Sequence, residues 1–488
     1  MSLTFSRLHR RFNPSALDRR DYLKVTLAAA IGLVSTATGF GAPRGSARRV
    51  IIVGAGLAGL SCAHELRARG MKVTVLEARK RLGGRVLTFP DYVPDVKVEA
   101  GGEFVGANHP AWLAYAKKFG LGLREVTEDD AEFPVILGRT RLTAKESEAL
   151  YKEMEQAYGT MAKDARGINA DAPWLSPNAK TLDERTTAHW LRELAASKTC
   201  KQALAAEMQN NNGVALQRQS YLANLTQVKG GGLENYFTES EAFRCRGGSH
   251  ALVAALASHV GEPNIRHETP VRSIRLLSDK VVVTTVAGEI LEGDEVVLAV
   301  PPRAWRRIAI SPSLPSALDP QMGTVAKFLV AAKTRFWRQA KLAPDALTDS
   351  MLGLVWDATD GQSVKHGACL TSFTGGPAAV LASRSGNSGT HDGLRHAMTE
   401  IYRDLPQQCL GSRFVDWPND ELAGGGYSFP APGQVTTVGP LLVQAHGRLH
   451  LAGEHTCLKF VGYMEGALQS GLRVARSIAR EAAHHHAA

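Results

Sequence analysis

Apolar and polar positions along this chain fall into a few clear patterns. Val50–Val53 is an unbroken apolar run, as expected of a strand. Leu57, Leu60, Ala63 and Leu66 then recur at helical spacing, and Lys72–Leu76 forms a second apolar run. Together these predict a β–α–β unit over residues 48–78. Residues 281–300 (VVVTTVAGEILEGDEVVLAV) predict strands, with turns at Ala287-Gly288 and Glu292-Gly293. Residues 106–242 are rich in helical periodicity. Residues 376–393, full of Gly, Ser and Ala, predict a surface loop and a short helix.

Two further stretches raise questions. Gly323–Ala332 is almost wholly apolar, yet Lys327 interrupts it on the face shared by Val325 and Leu329. A lysine there either snorkels from an edge strand or sits buried, where its charge needs an answer. Near the chain end Met464, Ala467, Leu468, Gly471, Leu472, Ala475 and Ile478 mark an amphipathic helix. Gly466 and Gly471 lie on its buried side, although glycine inside a helix costs up to about 1 kcal/mol relative to alanine. Tight helix packing explains them, or the close approach of something large and flat.

At 488 residues the chain is long for one domain and natural for two. No apolar run of membrane-spanning length occurs in its body, so no integral membrane domain is expected. The six cysteines are scattered without a CxxC pair, which indicates neither a zinc site nor a disulfide framework. The net charge of +10 is concentrated at one end: residues 1–49 hold nine Lys/Arg against two Asp. With no basic stripe interleaved with aromatics elsewhere, nucleic-acid binding is not expected.

That basic end reads as an address. Arg19-Arg20, followed by Tyr22-Leu23-Lys24 and the modestly apolar 25–42, resembles a twin-arginine export signal. The reading places the protein in the periplasm or outside the cell and assigns residues 1–47 to the signal.

The β–α–β unit carries chemistry. Gly54-x-Gly56-x-x-Gly59 lies between strand and helix, and Glu77 ends the second strand. Such glycines allow a tight turn and let a pyrophosphate approach a helix N-terminus, while the acid can accept from a ribose hydroxyl. Gly83-Gly84-Arg85 follows at once, and a second glycine turn with a cation suits a longer, flavin-bearing dinucleotide.

GxGxxG…E…RLGGR at the start, with RLHLAGEHT…GYMEGALQSG at the end, resembles the flavin amine oxidase family, which includes monoamine, polyamine and L-amino-acid oxidases. Middle landmarks agree: ESEAFRCRGGSHALVAALA (239–257), TPVRSI (269–274), VVLAVPP (296–302) and MGTVAKFLVAAKTRFW (322–337). The resemblance spans residues 48–480. It implies a mixed α/β fold, with a Rossmann-like FAD domain assembled from 48–105, 243–312 and 430–483. An α+β substrate domain would come from 106–242 and 313–429, leaving 484–488 as a tail.

The same resemblance implies roles. FAD would be held by Gly54, Gly56, Gly59, Glu77 and Arg79, by Gly84 and Arg85, and by Gly102, Glu103 and Val271. Gly453 and Glu454 would meet its ribityl or phosphate portion, and Gly462, Tyr463 and Met464 its ring, with the last helix pointing its N-terminus at the pyrimidine end. Tyr427 and Tyr463 would form an aromatic cage on the substrate side. Lys327 would hold a water at flavin N5. In the monoamine oxidases a cysteine before the first cage aromatic bonds to the flavin; Gly426 stands there, so non-covalent FAD is expected.

The implied reaction is oxidation of a primary amine or L-amino acid to an imine, then a carbonyl and ammonia, with O2 reduced to H2O2. A polyamine or secondary-amine oxidase, a flavin desaturase and a non-catalytic flavoprotein scaffold are the alternatives. Substrate class stays open. Several L-amino-acid oxidases carry an arginine where Glu103-Phe104 stands, and Glu103 can attract an ammonium or brace the fold. Arg244 and Arg246 remain candidates for a carboxylate. A homodimer is left open.

Overall fold

The structure is a computed structural model that describes residues 3–12, 48–127, 131–363, 367–384 and 387–487. The export motif at Arg19-Arg20 and the apolar stretch 25–42 lie outside the described residues. In chain order, the elements that build the site are α1 (Leu3–Phe12), β1 (Arg49–Val53), α2 (Leu57–Ala68), β2 (Lys72–Leu76), β3 (Glu295–Leu298), β4 (Val325–Ala332), β5 (Leu449–Leu451) and α3 (Met464–Ala487).

A parallel sheet runs in the order Ile265–Arg266, β2, β1, β3, β5. Its strands come from three distant parts of the chain, and strand alternation explains how it is covered. Val50 and Ile52 face α2, α3 and the helix His250–Val260. Ile51 and Val53 face the other way, into a cluster with Val271, Ile274, Val281 and Val283 from an adjoining four-stranded sheet. Both faces are therefore dry, which is why β1 reads as continuous apolar sequence. The expected turn at Glu292-Gly293 is corrected here: both residues belong to the strand Ile290–Gly293, and the chain breaks at Asp294 before β3.

The second body is a mixed seven-stranded sheet in the order Cys409–Asp416, β4, Ala368–Gly375, Leu354–Asp357, Ala346–Thr348, Val135–Leu137, Thr140–Arg141. Its pairs are antiparallel except Ala346–Thr348 with Val135–Leu137. All eight residues of β4 are buried, and strands flank it on both sides. Lys327 is thus on an interior strand and has no edge from which to snorkel. The loop and short helix expected over 376–393 are two helices, Pro377–Arg384 and Asn387–Ile401, the second pressing Leu394, Met398 and Ile401 against the sheet. The tail expected at 484–488 continues α3 through Ala487.

Helix α1 lies inside the segment read as a signal, yet it is part of the packed body. Phe5 and Leu8 are buried among Tyr151, Tyr158 and Phe237, with the Phe5 ring edge-on to Tyr158 at 4.8 Å. Ser6 Oγ donates to Thr238 O at 2.9 Å.

The glycines of α3 answer to packing. A Cβ on Gly471 would lie 2.1 Å from Ser61 Oγ and 2.5 Å from Ala58 O, both on α2; one on Gly466 would lie 2.2 Å from Phe460 O. Just before Gly466, Glu465 is fully buried and accepts from the Ala111 and Trp112 N–H groups, each at 2.9 Å, capping the helix Pro110–Phe119 from outside. A carbonyl on α2 cannot move aside for a methyl. Gly471→Ala should therefore destabilise the holoprotein by about 1–3 kcal/mol through overpacking. An unchanged denaturant midpoint would show that the α2–α3 contact has room.

Candidate active site

The glycine turns are stitched to each other. Gly83 N donates to Ala55 O at 2.9 Å, and Gly56 and Gly83 form an isolated parallel bridge. Behind them, a Cβ on Gly59 would meet Gly54 O at 2.0 Å, so this glycine serves helix–strand packing and does not line the cavity. A Cβ on Gly56 would meet nothing within 4 Å. That is the position where backbone is bared for a large ligand at the start of α2. Glu77, buried at the end of β2, accepts from Ala55 N and Arg79 N, each at 2.9 Å, and its outer lone pairs face the same space.

That space is a cavity of about 350 Å³. It runs from Glu77, Arg79 and Val271, past Gly54, Gly56, Gly84 and Arg85, to Gly102, Gly453, Glu454 and the start of α3 at Gly462, Tyr463 and Met464. Arg79 is ion-paired with Asp420, which fixes the loop leading to Tyr427. A second cavity of about 170 Å³ adjoins it and shares Arg85, Gly102, Gly426, Tyr427, Gly462, Tyr463 and Met464. Lys327 and Glu103 line this smaller cavity, with Phe104, Leu354, Trp356, Phe373 and Phe429. A long cleft at a parallel sheet's strand ends, opening into an apolar chamber, fits a dinucleotide with its reactive ring at the junction.

Glu454 organises that junction. Its Oε1 accepts from Arg85 Nη1 at 2.8 Å and Ser428 N at 3.1 Å, and its Oε2 from Ser428 Oγ at 2.7 Å and Gly462 N at 2.8 Å. Burial pushes this carboxyl up, but Arg85, His455 and the Ser428 hydroxyl outweigh it and hold it below the usual range. One carboxylate thus ties the RLGGR turn, the Tyr427 loop and the entry to α3. Its oxygens are spent on protein partners, although the residue still borders the larger cavity.

The tyrosines are held by the backbone. Tyr427 donates to Asn211 O at 2.6 Å. Gly462, at φ +84°, lets the chain pass so close that a Cβ there would lie 3.2 Å from the Tyr427 ring. The Tyr463 hydroxyl lies 3.4 Å from that of Tyr236, which donates to Gln227 Oε1 at 3.1 Å. Burial raises both phenols, so they stay neutral donors. Gly426 is locked: a Cβ would sit 2.5 Å from Val325 Cβ. No side chain fits there, a cysteine included.

Lys327 is not the lone ammonium its sequence context suggests. Its Nζ donates to Glu103 Oε2 at 2.8 Å, Gly101 O at 3.0 Å and Glu99 O at 3.1 Å. Three donors meet three protein acceptors. Glu103 also accepts from Arg244 Nε at 2.9 Å and Trp356 Nε1 at 3.1 Å. Between the two readings of Glu103, the structure gives the brace. Arg244 is consumed as well, by Glu103, Asp360 and Asp357 O. Arg246 donates to Leu123 O outside both cavities. Sequence reasoning missed Glu241, Trp356 and Gln227 on the chamber wall; Trp356 and Gln227 stand in segments with no motif around them, and Glu241 lies within the 239–257 landmark without being singled out.

The sequence model of the family described as "Flavin containing amine oxidoreductase" matches residues 57–479. A flavin-containing amine oxidase of Danio rerio is 28% identical over 460 residues, covering 88% of this chain and 85% of its own. Flavin-containing amine oxidase A of Sus scrofa is 28% identical over 451 residues, covering 88% and 84%. Among solved structures, cyclohexylamine oxidase from Brevibacterium oxydans IH-35A superimposes with a TM-score of 0.80 at 24% identity, covering 89% of this chain and 99% of that one. Wild-type putrescine oxidase bound to putrescine does so with the same TM-score, identity and coverage. At that identity the structural likeness is one of fold.

The crowding at Gly426 leads to an expected outcome. Acid or heat precipitation of the purified protein should leave a yellow supernatant, because no thiol can be placed at the attachment position. Flavin that stays with the pellet would mean a covalent link elsewhere.

Proposed function

The chain belongs to the flavin-containing amine oxidoreductase family, and on that premise we propose that it oxidises the C–N bond of a primary amine lacking a carboxylate, with oxygen as the acceptor. The observation that carries this is the fate of the cations. Among the described residues, those lining the smaller cavity are Arg85 and Lys327, and each is ion-paired with a buried glutamate at 2.8 Å. An amino acid needs its carboxylate answered, best by a forked guanidinium. Arg85 is neutralised by Glu454, and its Nη1 donates both to that carboxylate and to Gly426 O.

The residues divide the work. Gly56, Glu77, Arg79, Gly84 and the start of α3 would hold FAD across the larger cavity. When bound, FAD supplies the hydride acceptor and the route of electrons to oxygen. Phe104, Trp356 and Phe373 exclude water from the chamber, which favours the neutral amine. Tyr427 and Tyr463 would flank it and orient its α C–H. Lys327, braced by Glu103 and two backbone carbonyls, would line the reacting centre from the chamber wall. The amine yields an imine and H2O2 for each O2 consumed, and hydrolysis gives a carbonyl and ammonia.

Peroxide and ammonia release should be measured for each amino acid beside the amine formed by its decarboxylation. The amine should be preferred in kcat/KM by about a hundredfold or more, as expected when a buried carboxylate finds no partner at a cost of roughly 3 kcal/mol. Equal or reversed preference would return the site to the amino-acid oxidases. We also propose export of the folded holoprotein by the twin-arginine route, on the strength of Arg19-Arg20. Replacing both with lysine should trap active, flavin-loaded enzyme inside the cell; unchanged location would exclude the route.

A further inference from the structure

Lys327 is one end of a buried chain of alternating charges. Lys327 pairs with Glu103 at 2.8 Å, Glu103 with Arg244 at 2.9 Å, and Arg244 with Asp360 at 3.0 Å. Asp360 then faces Arg7 Nη2 at 3.9 Å, and Arg7 Nε faces Asp345 at 3.6 Å. All six side chains are at most 7% exposed. Three cations and three carboxylates make the chain neutral, and the third cation comes from α1. Arg7 is inserted, not laid across a surface: Phe5 and Leu8 on either side of it are core residues.

We propose that Arg7 is a positioning residue for the amine-oxidation site, and that α1 is therefore a working part of the folded enzyme. The proposal rests on family membership and the place of Lys327 in the chamber, not on the choice of amine over amino acid. Arg244 is a planar fork with one partner on each arm. Its Nε holds Glu103, its Nη1 holds Asp360 and its Nη2 holds Asp357 O. Asp360 divides its charge between Arg244 and Arg7, while bonds from Thr127 fix its position. Without Arg7, the whole charge of Asp360 falls on Arg244 and draws the fork away from Glu103. Glu103 then leans on Lys327, whose other two bonds are to carbonyls at the turn bearing Gly101. Any processing that removed residues 1–47 would take this cation with it.

Asp345 supplies a signature that simple loss of packing would not give. The groups that face it are Arg7 on α1, Arg244, Asp357, Asp360 and the Tyr402 hydroxyl. Burial pushes its carboxyl up to about 6, with Arg7 opposing and Asp360 adding. Removing Arg7 removes the leading opposing charge, so the carboxyl must rise further. A carboxyl raised in the folded state destabilises it once pH exceeds the unfolded value, and the penalty is relieved as pH falls and the folded state takes up the proton.

The test compares Arg7→Met, Arg7→Lys and the double variant Arg7→Met/Asp345→Asn in the full-length holoprotein. Arg7→Met should keep its FAD content and KM while the limiting rate of flavin bleaching by amine falls on the order of two- to thirtyfold, the range for residues acting through a network. Its Tm deficit should be larger at pH 8 than at pH 5. Arg7→Lys should restore most of the rate, and the double variant most of the Tm. A Tm loss with parental bleaching rate would make α1 only a packing element and overturn the proposal, as would a deficit independent of pH. If Arg7→Met does not fold, the double variant decides: a parental bleaching rate there means the chain does not reach Lys327. If the parent turns over no amine, dithionite titration of the flavin replaces amine as the readout, so the two failures stay distinct.

Discussion

The structure depends on one buried carboxylate. Glu454 is reached by a guanidinium, two backbone N–H groups and a hydroxyl, drawn from residues 85, 428 and 462. Those residues belong to the first glycine-rich turn, the loop carrying Tyr427 and the approach to the last helix. Apolar contacts bury each of these three irregular segments separately, at Val86, Phe429 and Val461, but do not tie them to one another at a point. A charged acceptor with four directional partners does, and its desolvation is offset by bonds that are each stronger than neutral ones. The junction of the two cavities follows from that knot.

A second buried carboxylate, Glu103, plays the matching part on the chamber's far side. It takes Lys327, Arg244 and the Trp356 indole together. The consequence for chemistry is that the chamber's cations are already neutralised before any ligand arrives. What remains for a substrate to meet is mainly aromatic surface and amide groups. Stability and selectivity therefore come from the same pairs: the bonds that make a buried lysine tolerable also remove the cations an anionic substrate would need.

Much of this was legible from sequence where local physics decides. The β–α–β unit, its glycines and Glu77 announce themselves because each is required within a few residues of the others, and every cofactor contact expected from the motifs except Gly59 and Glu103 borders the larger cavity. What stayed hidden lies in long-range pairing. Lys327 reads as an orphan because its acceptors are more than 200 residues away in the chain. Gly466 and Gly471 invited a ligand explanation, and only the Phe460 carbonyl against the first and α2 against the second show that protein fills the space. Glu465 caps a helix 353 and 354 residues distant, which no periodicity could suggest. Helix α1 was masked by its neighbourhood, since a basic amphipathic stretch ahead of paired arginines looks like an address whether or not it also packs.

The parallel sheet also sets a timetable. β1 and α2 emerge first from the ribosome, but the strand that completes their sheet, β5, and the helix that covers α2, α3, lie at residues 449–487. At ordinary rates of synthesis the nucleotide-binding face must wait roughly 20–80 s for its partners. During that wait Ile52 and Leu60, fully buried in the finished protein, lack the part of their cover that α3 supplies. The nucleotide-binding face is thus complete only once nearly the whole chain has been made.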